Sequence, residues 1–306
     1  MNTTKATRLA FAAIVAGAVG IGFAPVLVRL SDVGPSATAF YRLLFALPFL
    51  WIWMSATHAR RDAEDRPSSA NDFLWLSLAG LFFAGDLALW HWSLQFTSVA
   101  NSTLLTNCAP LFAMIGARVF LHERITATII VGMIVAFAGA SLLVGGRIEI
   151  RPNHWGGDAL AVVTGAFYAA YLLTVKQLRA KFSPPTIMAW SGVVSCLSLL
   201  LIAVLSRELL IPGSAKGWLA VIALGLVSHL AGQTLIAFAL GHLPASISSI
   251  MLLLQPLLAA LLAWVVLNER LTLGQWIGGA VVLAGIFVAS RATPPASSKA
   301  ESKIDR

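Results

Sequence analysis

Apolar and polar positions along this chain sort into a coarse rhythm. Ten apolar runs follow one another, at about 9–28, 36–55, 73–95, 98–118, 127–146, 156–176, 186–206, 217–239, 244–266 and 272–290. Each is about 20 residues long, the length an α-helix needs to cross the hydrocarbon of a bilayer. A backbone in hydrocarbon must satisfy its own amides, so each run predicts a helix. The longest polar insert is "THARRDAEDRPSSAND" (57–72), which leaves no room for a water-soluble domain. The end of the chain, "RATPPASSKAESKIDR" (291–306), is polar and rich in Pro and Ser, and predicts a disordered tail. Lys5 and Arg8 precede the first run, which is too long for a signal-peptide core and predicts an uncleaved first helix. Pro25, Pro48, Pro110 and Pro256 fall within or near runs, where each removes a helical hydrogen bond and predicts a kink. Small-residue spacings such as Gly274…Gly278 and Ala136…Ala140 would let helices approach closely.

One polar phrase occurs twice. "LHERIT" (121–126) closes the fourth run and "LNERLT" (267–272) closes the ninth. At that offset of 146, Pro110 falls on Pro256, Glu123 on Glu269, Arg124 on Arg270, Thr126 on Thr272, Gly132 on Gly278 and Gly139 on Gly285, without a gap. Internal duplication is the simplest account. Each copy holds five runs, an odd number, so the second copy enters the membrane upside down relative to the first. Inverted repeats of this kind build secondary transporters, whose substrate sites lie near the midplane between the halves. The predicted fold is therefore an all-α membrane protein of ten transmembrane helices, as two inverted five-helix repeats around a central cavity. The units span 1–146 and 147–290, and the tail 291–306. Glu123 and Glu269 precede the helices that start near 126 and 272, where a helix dipole favours a carboxylate and Thr126 and Thr272 can cap. These glutamates, with Pro110 and Pro256, are the expected structural joints.

Composition agrees. Hydrophobic residues make up 58% of the chain and charged residues 11%, too little charge to cover a soluble fold. The net charge of +8 does not indicate a nucleic-acid partner, because Lys and Arg sit in short loops and tails. With the N-terminus inside, fourteen of them face inward and six outward, which predicts that both termini are cytoplasmic. Cys108 and Cys196 lie in apolar runs with no partner at metal-ligand spacing, so neither a disulfide nor a metal site is expected. Trp51, Trp53, Trp218, Trp264 and Trp276 fall near predicted interfaces, where aromatic belts belong.

The five-plus-five plan, the pattern A-x-x-x-x-L-x-x-x-x-P before "ERIT", and "FYRLLFA" (40–46) resemble the EamA-like ten-helix branch of the drug/metabolite transporter superfamily, over essentially residues 9–290. The resemblance implies alternating-access carriers, often exporters of amino acids or other small metabolites from the bacterial cytoplasm, with a cavity lined by both repeats. It implies multi-pass residence in the bacterial inner membrane. In one respect the halves differ: "DLALWHW" (86–92) has no counterpart in the aligned "GQTLIAF" (232–238). The polar chemistry of the third run is not dictated by the repeat.

That chemistry marks the candidate site. Asp86 lies midway along the third run with no basic residue within a turn, so it must face a cavity, find a partner or take up a proton. Asp86, Trp90, Ser93 and Thr97 form one helical stripe, favoured for the cavity; His91 and Gln95 form another, and His91 is either a helix-contact donor or a site residue. In the eighth run His229 and Gln233 share a face, and a pseudo-twofold would bring them towards Asp86; His229 either relays a proton with Asp86 or bonds a neighbouring helix. Thr164, Tyr168 and Tyr171 share a face of the sixth run, as a cavity wall or as packing. Asn107 and Gln255 precede the kinking prolines, and their amides either satisfy the freed carbonyls, the favoured role, or contact substrate. Arg42 either snorkels outward, binds an anionic group or pairs with Asp86. Trp190 lies deep enough to join the cavity.

No nucleotide-cradling loop and no hydrolase or metalloprotease motif occurs, so neither direct ATP use nor catalysis is expected, and no cofactor. The expected function is a secondary-active exporter of a small molecule such as an amino acid, with proton coupling as one driving force. The competing reading is a membrane-embedded enzyme or flippase acting on a lipid-linked substrate. Monomer and dimer both remain open.

Overall fold

The computed structural model describes residues 3–58, 65–97, 99–144, 155–267 and 271–291. Among these residues every regular element is a helix, and no strand occurs. Among the described residues nine helical stretches are long and apolar enough to cross a membrane: α1 (Lys5–Leu30), α2 (Pro35–His58), α3 (Ala70–Ser93), α4 (Asn101–Phe120), α6 (Trp155–Leu178), α7 (Pro184–Leu205), α8 (Ala215–Leu240), α9 (Ala245–Leu262) and α10 (Leu273–Arg291). A shorter apolar helix, α5 (Ala127–Leu143), stands between α4 and α6. Its 17 residues reach about 25 Å at 1.5 Å per residue, and its expected end near 146 lies outside the described residues. The tail 291–306 lies almost wholly outside them as well.

All four prolines interrupt helix where expected. A helical segment restarts at Ala24, Leu47, Ala109 and Leu254, placing Pro25, Pro48, Pro110 and Pro256 in its first turn, where a missing N–H costs least. One irregularity has no proline. Residues Leu224–Gln233 of α8 wind as a π-helix. There α8 meets α1 almost backbone to backbone: a Cβ on Gly17 would fall 2.8 Å from the Gly232 carbonyl oxygen. Ser228 Oγ donates to Gly20 O at 2.9 Å across the same seam.

The packing pairs come in mates. The duplication expected from the sequence would set α1 against α6, α2 against α7, α3 against α8, α4 against α9 and α5 against α10. α3 packs on α6 and α1 on α8; α4 on α6 and α9 on α1; α7 on α3 and α2 on α8. α2 also packs on α7, α4 on α9 and α5 on α10. The α5–α10 crossing is the tightest. A Cβ on Gly132 would lie 2.8 Å from Gly285 O, and one on Gly285 2.6 Å from Gly132 O. The same holds for Gly139 against Gly278 O (2.7 Å) and Gly278 against Gly139 O (2.8 Å). The contact is reciprocal and antiparallel.

Loop ties are matched too. Asp65 accepts from Ser183 N and Thr186 Oγ1, and Lys181 pairs with Asp72 at 2.7 Å, joining the α2–α3 loop to the α6–α7 loop. Elsewhere, Gly34 N donates to Leu209 O, Ala37 N to Glu208 Oε2 and Ser214 Oγ to Asp32 Oδ2, joining the α1–α2 loop to the α7–α8 loop.

Thr126 and Thr272 cap α5 and α10, as expected; Thr272 forms a reciprocal box with Gln275. Glu123 does something else. α4 ends in a wide turn: Glu123 N donates back to Ala117 O, and His122 takes the left-handed conformation at φ 54°. That turn carries the Glu123 carboxylate away from α5 and onto the start of α9, where it accepts from Ala245 N (2.6 Å), Ser246 N (3.1 Å) and Ser246 Oγ (2.7 Å). The expectation that Glu123 serves the helix beginning at 126 is corrected: it clamps α4 to α9. Glu269 lies outside the described residues.

Trp53, Trp218, Trp264 and Trp276 are exposed on the bundle surface, and Trp264 and Trp276 meet edge to face. Trp51 instead packs inward, against Trp190.

Candidate functional site

A cavity of about 230 Å³ opens among α1, α2, α3, α4, α6, α8 and α9. α5, α7 and α10 contribute nothing to its wall. Stretches before and after the internal offset therefore share one chamber. The wall is broken where helices break: Pro25, Pro110 and Pro256 all line it.

Arg42 enters from α2, and its guanidinium carbon lies 5.7 Å from the centre of the Phe83 ring. A cation at that distance is attracted to the ring face. Arg42 is buried, its Nε has no partner, and no carboxylate lies within ion-pair distance among the described residues. Of the three alternatives for Arg42, pairing with Asp86 is not realised, and the side chain points into the bundle. Asp86 lines the same wall from α3, one turn beyond Phe83, and makes no hydrogen bond or ion pair among the described residues.

Trp90 and His91 complete the α3 wall, with ring centroids 4.9 Å apart at a steep angle. His91 Nδ1 sits 2.6 Å from Leu87 O, and its buried Nε2 has no partner. The favoured stripe thus reaches the cavity only in part. Ser93 bonds Ser102 and Thr97 bonds Asp158, both on neighbouring helices, so these two are corrected to packing roles.

From α6, Tyr168 lines the cavity and stacks on Tyr171 at 6.1 Å. Tyr171 lies behind it, fully buried, with its hydroxyl donating to Met188 Sδ at 3.5 Å and its ring 4.8 Å from Phe83. From α8, Gln233 lines the cavity with neither amide atom bonded. His229 is buried outside the wall, its ring 5.4 Å from Phe83 and both nitrogens unpartnered. No hydrogen bond or ion pair joins His229 to Asp86 among the described residues. Trp190 is away from the wall, edge-on to Trp51 and Phe73.

Two amides reverse their expected role. Asn107 and Gln255 line the cavity with Nδ2 and Nε2 unbonded, rather than serving carbonyls freed at the breaks. Phe83 was not marked in the sequence at all. Its signal was available: it lies three residues before Asp86, on the same helical face.

Comparison with known proteins agrees with this architecture. The profile of the EamA-like transporter family matches residues 8–145 and again 155–291. An uncharacterized transporter of Archaeoglobus fulgidus is 30% identical over 94% of this chain and 98% of its own. A probable terminal-alkyne amino-acid exporter of Streptantibioticus cattleyicolor is 28% identical over 89% of each chain. A riboflavin transporter of Vibrio cholerae is 27% identical over 70% of each. One solved crystal structure superposes with a TM-score of 0.76 at 18% identity, covering 94% of this chain and 98% of that one, and so shares the fold.

Proposed function

We propose, from the premise that the chain belongs to the EamA-like transporter family, that it is a secondary-active carrier exporting a small zwitterionic metabolite, such as an amino acid, by alternating access. The observation that carries this reading is a guanidinium and a carboxyl group, Arg42 and Asp86, in one cavity without an ion pair between them. Two such groups kept apart suit a ligand with a carboxylate and an ammonium. The Streptantibioticus relative, named for amino-acid export, supports that class.

In this reading all ten stretches, α5 included, are membrane spans. They form two inverted units, 1–146 and 147–290, followed by a cytoplasmic tail. The two family matches, the mated packing pairs and the reciprocal glycine contacts support the arrangement. A contact in which each partner returns what it receives is what a twofold axis produces. The Lys and Arg distribution supports cytoplasmic termini, in a bacterial inner membrane. We assign the coupling proton to Asp86, which has no protein partner to hold its charge.

The test is flux of radiolabelled amino acids and riboflavin through proteoliposomes, with and without an imposed pH gradient. The expected result is amino-acid movement without chemical change, accelerated by the gradient in the native chain and not in Asp86→Asn. An Asp86→Asn variant that still answers the gradient would remove the coupling assignment. Chemical conversion of a lipid-linked substrate would instead favour the enzyme reading.

A further inference from the structure

We infer that His91 is the hydrogen-bond acceptor that reads the ammonium group of the substrate; this rests on the amino-acid reading above. The argument starts from Leu87. A carbonyl oxygen has no proton to give, so the 2.6 Å contact with His91 Nδ1 requires that Nδ1 carry the hydrogen. In the neutral ring Nε2 is then a bare lone pair. The Leu87 carbonyl and the edge of Trp90 fix the ring plane. Nε2 is buried, has no protein partner, and belongs to a residue of the cavity wall. An orphaned acceptor in such a place needs a donor from the ligand.

The rest of the wall sorts the same way. Asp86, the other strong acceptor, is on the same helix five residues earlier. The unpartnered donors come from other helices: Arg42 Nε on α2, Asn107 Nδ2 on α4 and Gln255 Nε2 on α9. Gln233 offers one group of each kind. A zwitterion fits with its ammonium towards α3 and its carboxylate towards α2, α4 and α9. His91 and Asp86 then divide the ammonium hydrogens between a neutral and a charged acceptor.

Two substitutions separate acceptor from shape. His91→Asn keeps a donor for Leu87 O and removes the Nε2 lone pair. His91→Gln is long enough to return a carbonyl oxygen to that place. The probes are L-phenylalanine, chosen for the aromatic wall of Phe83, Trp90 and Tyr168, and 3-phenylpropionate, the same skeleton without the ammonium. In proteoliposomes of the full chain, His91→Asn is expected to raise the half-saturating concentration of L-phenylalanine about tenfold or more, the scale of one hydrogen bond to a charged group. Inhibition by 3-phenylpropionate should not change, and His91→Gln should stay within about twofold of the native chain. Unchanged L-phenylalanine affinity in His91→Asn would overturn the assignment and leave the proposed function standing. Equal weakening for both probes would also overturn it, making His91 a shaping residue or a carboxylate contact. Failure of the native chain to take up L-phenylalanine at all would remove the amino-acid reading first, and this inference with it.

Discussion

Arg42 has exchanged water for a π face at the cavity wall, and its geometry makes it sensitive to a change that keeps its charge. Lysine at position 42 would retain the cation but not the planar fork that lies over Phe83 and can donate to both oxygens of a carboxylate. Arg42→Lys should raise the half-saturating concentration of a carboxylate substrate about tenfold or more, with the protein still inserted and monodisperse; proteoliposome flux and size-exclusion chromatography together check this. At this scale the sequence was informative wherever a polar group broke an apolar run. Asp86, Trp90, His91, Arg42, Tyr168 and Gln233 all reach the wall, because a polar atom in hydrocarbon must find a cavity or a partner. It was uninformative about which of those two each would find. Tyr171 found Met188, Ser93 found Ser102, and Trp190 found two other rings. Each outcome depends on a neighbour more than a hundred residues away or on another helix, and no local pattern records it. Phe83 was passed over for the opposite reason, being one apolar residue among many, set apart only by its spacing from Asp86.

Elements were easier to read at their prolines than at their glycines. Each proline predicted a break and produced one, since the missing N–H acts locally. The π-helical turn in α8 has no such local cause; its neighbours are the close backbone of α1 and the polar side chains it presents. Inward faces were hidden as well, because a helix that is apolar all round carries no stripe to mark its buried side. The α5–α10 crossing shows what the glycine alignment meant. Gly139→Val would drive a side chain into Val282 N and the Gly278 carbonyl, both backbone atoms that cannot rotate away. The expected cost is about 1–3 kcal/mol or more, read as a lower unfolding temperature in detergent. The Glu123 clamp predicts a second loss. Glu123→Gln puts an amide N–H among the donors of Ala245 and Ser246, and should cost about 1–3 kcal/mol by the same measurement, with Ser246→Ala recovering part of the difference in a double-mutant cycle.

On the scale of the whole molecule, the repeated phrase foretold that the two ends of the bundle would be built alike. The loop ties and packing pairs are the support on which the inverted arrangement is proposed above. Membrane sidedness is the remaining consequence. In a background lacking Cys108 and Cys196, single cysteines replacing Arg124 and Arg270 should react with an impermeant maleimide from opposite sides of an intact cell membrane. Reaction from one side only would remove the inverted arrangement. The meeting of α5 and α10 carries a further implication. Backbones that touch at four glycines, outside the chamber wall, have no slack in which to slide or roll. In the alternating-access carrier proposed above, this crossing is expected to be the fulcrum about which the helices around the chamber turn, and so a fixed reference against which the travel of every other helix can be measured.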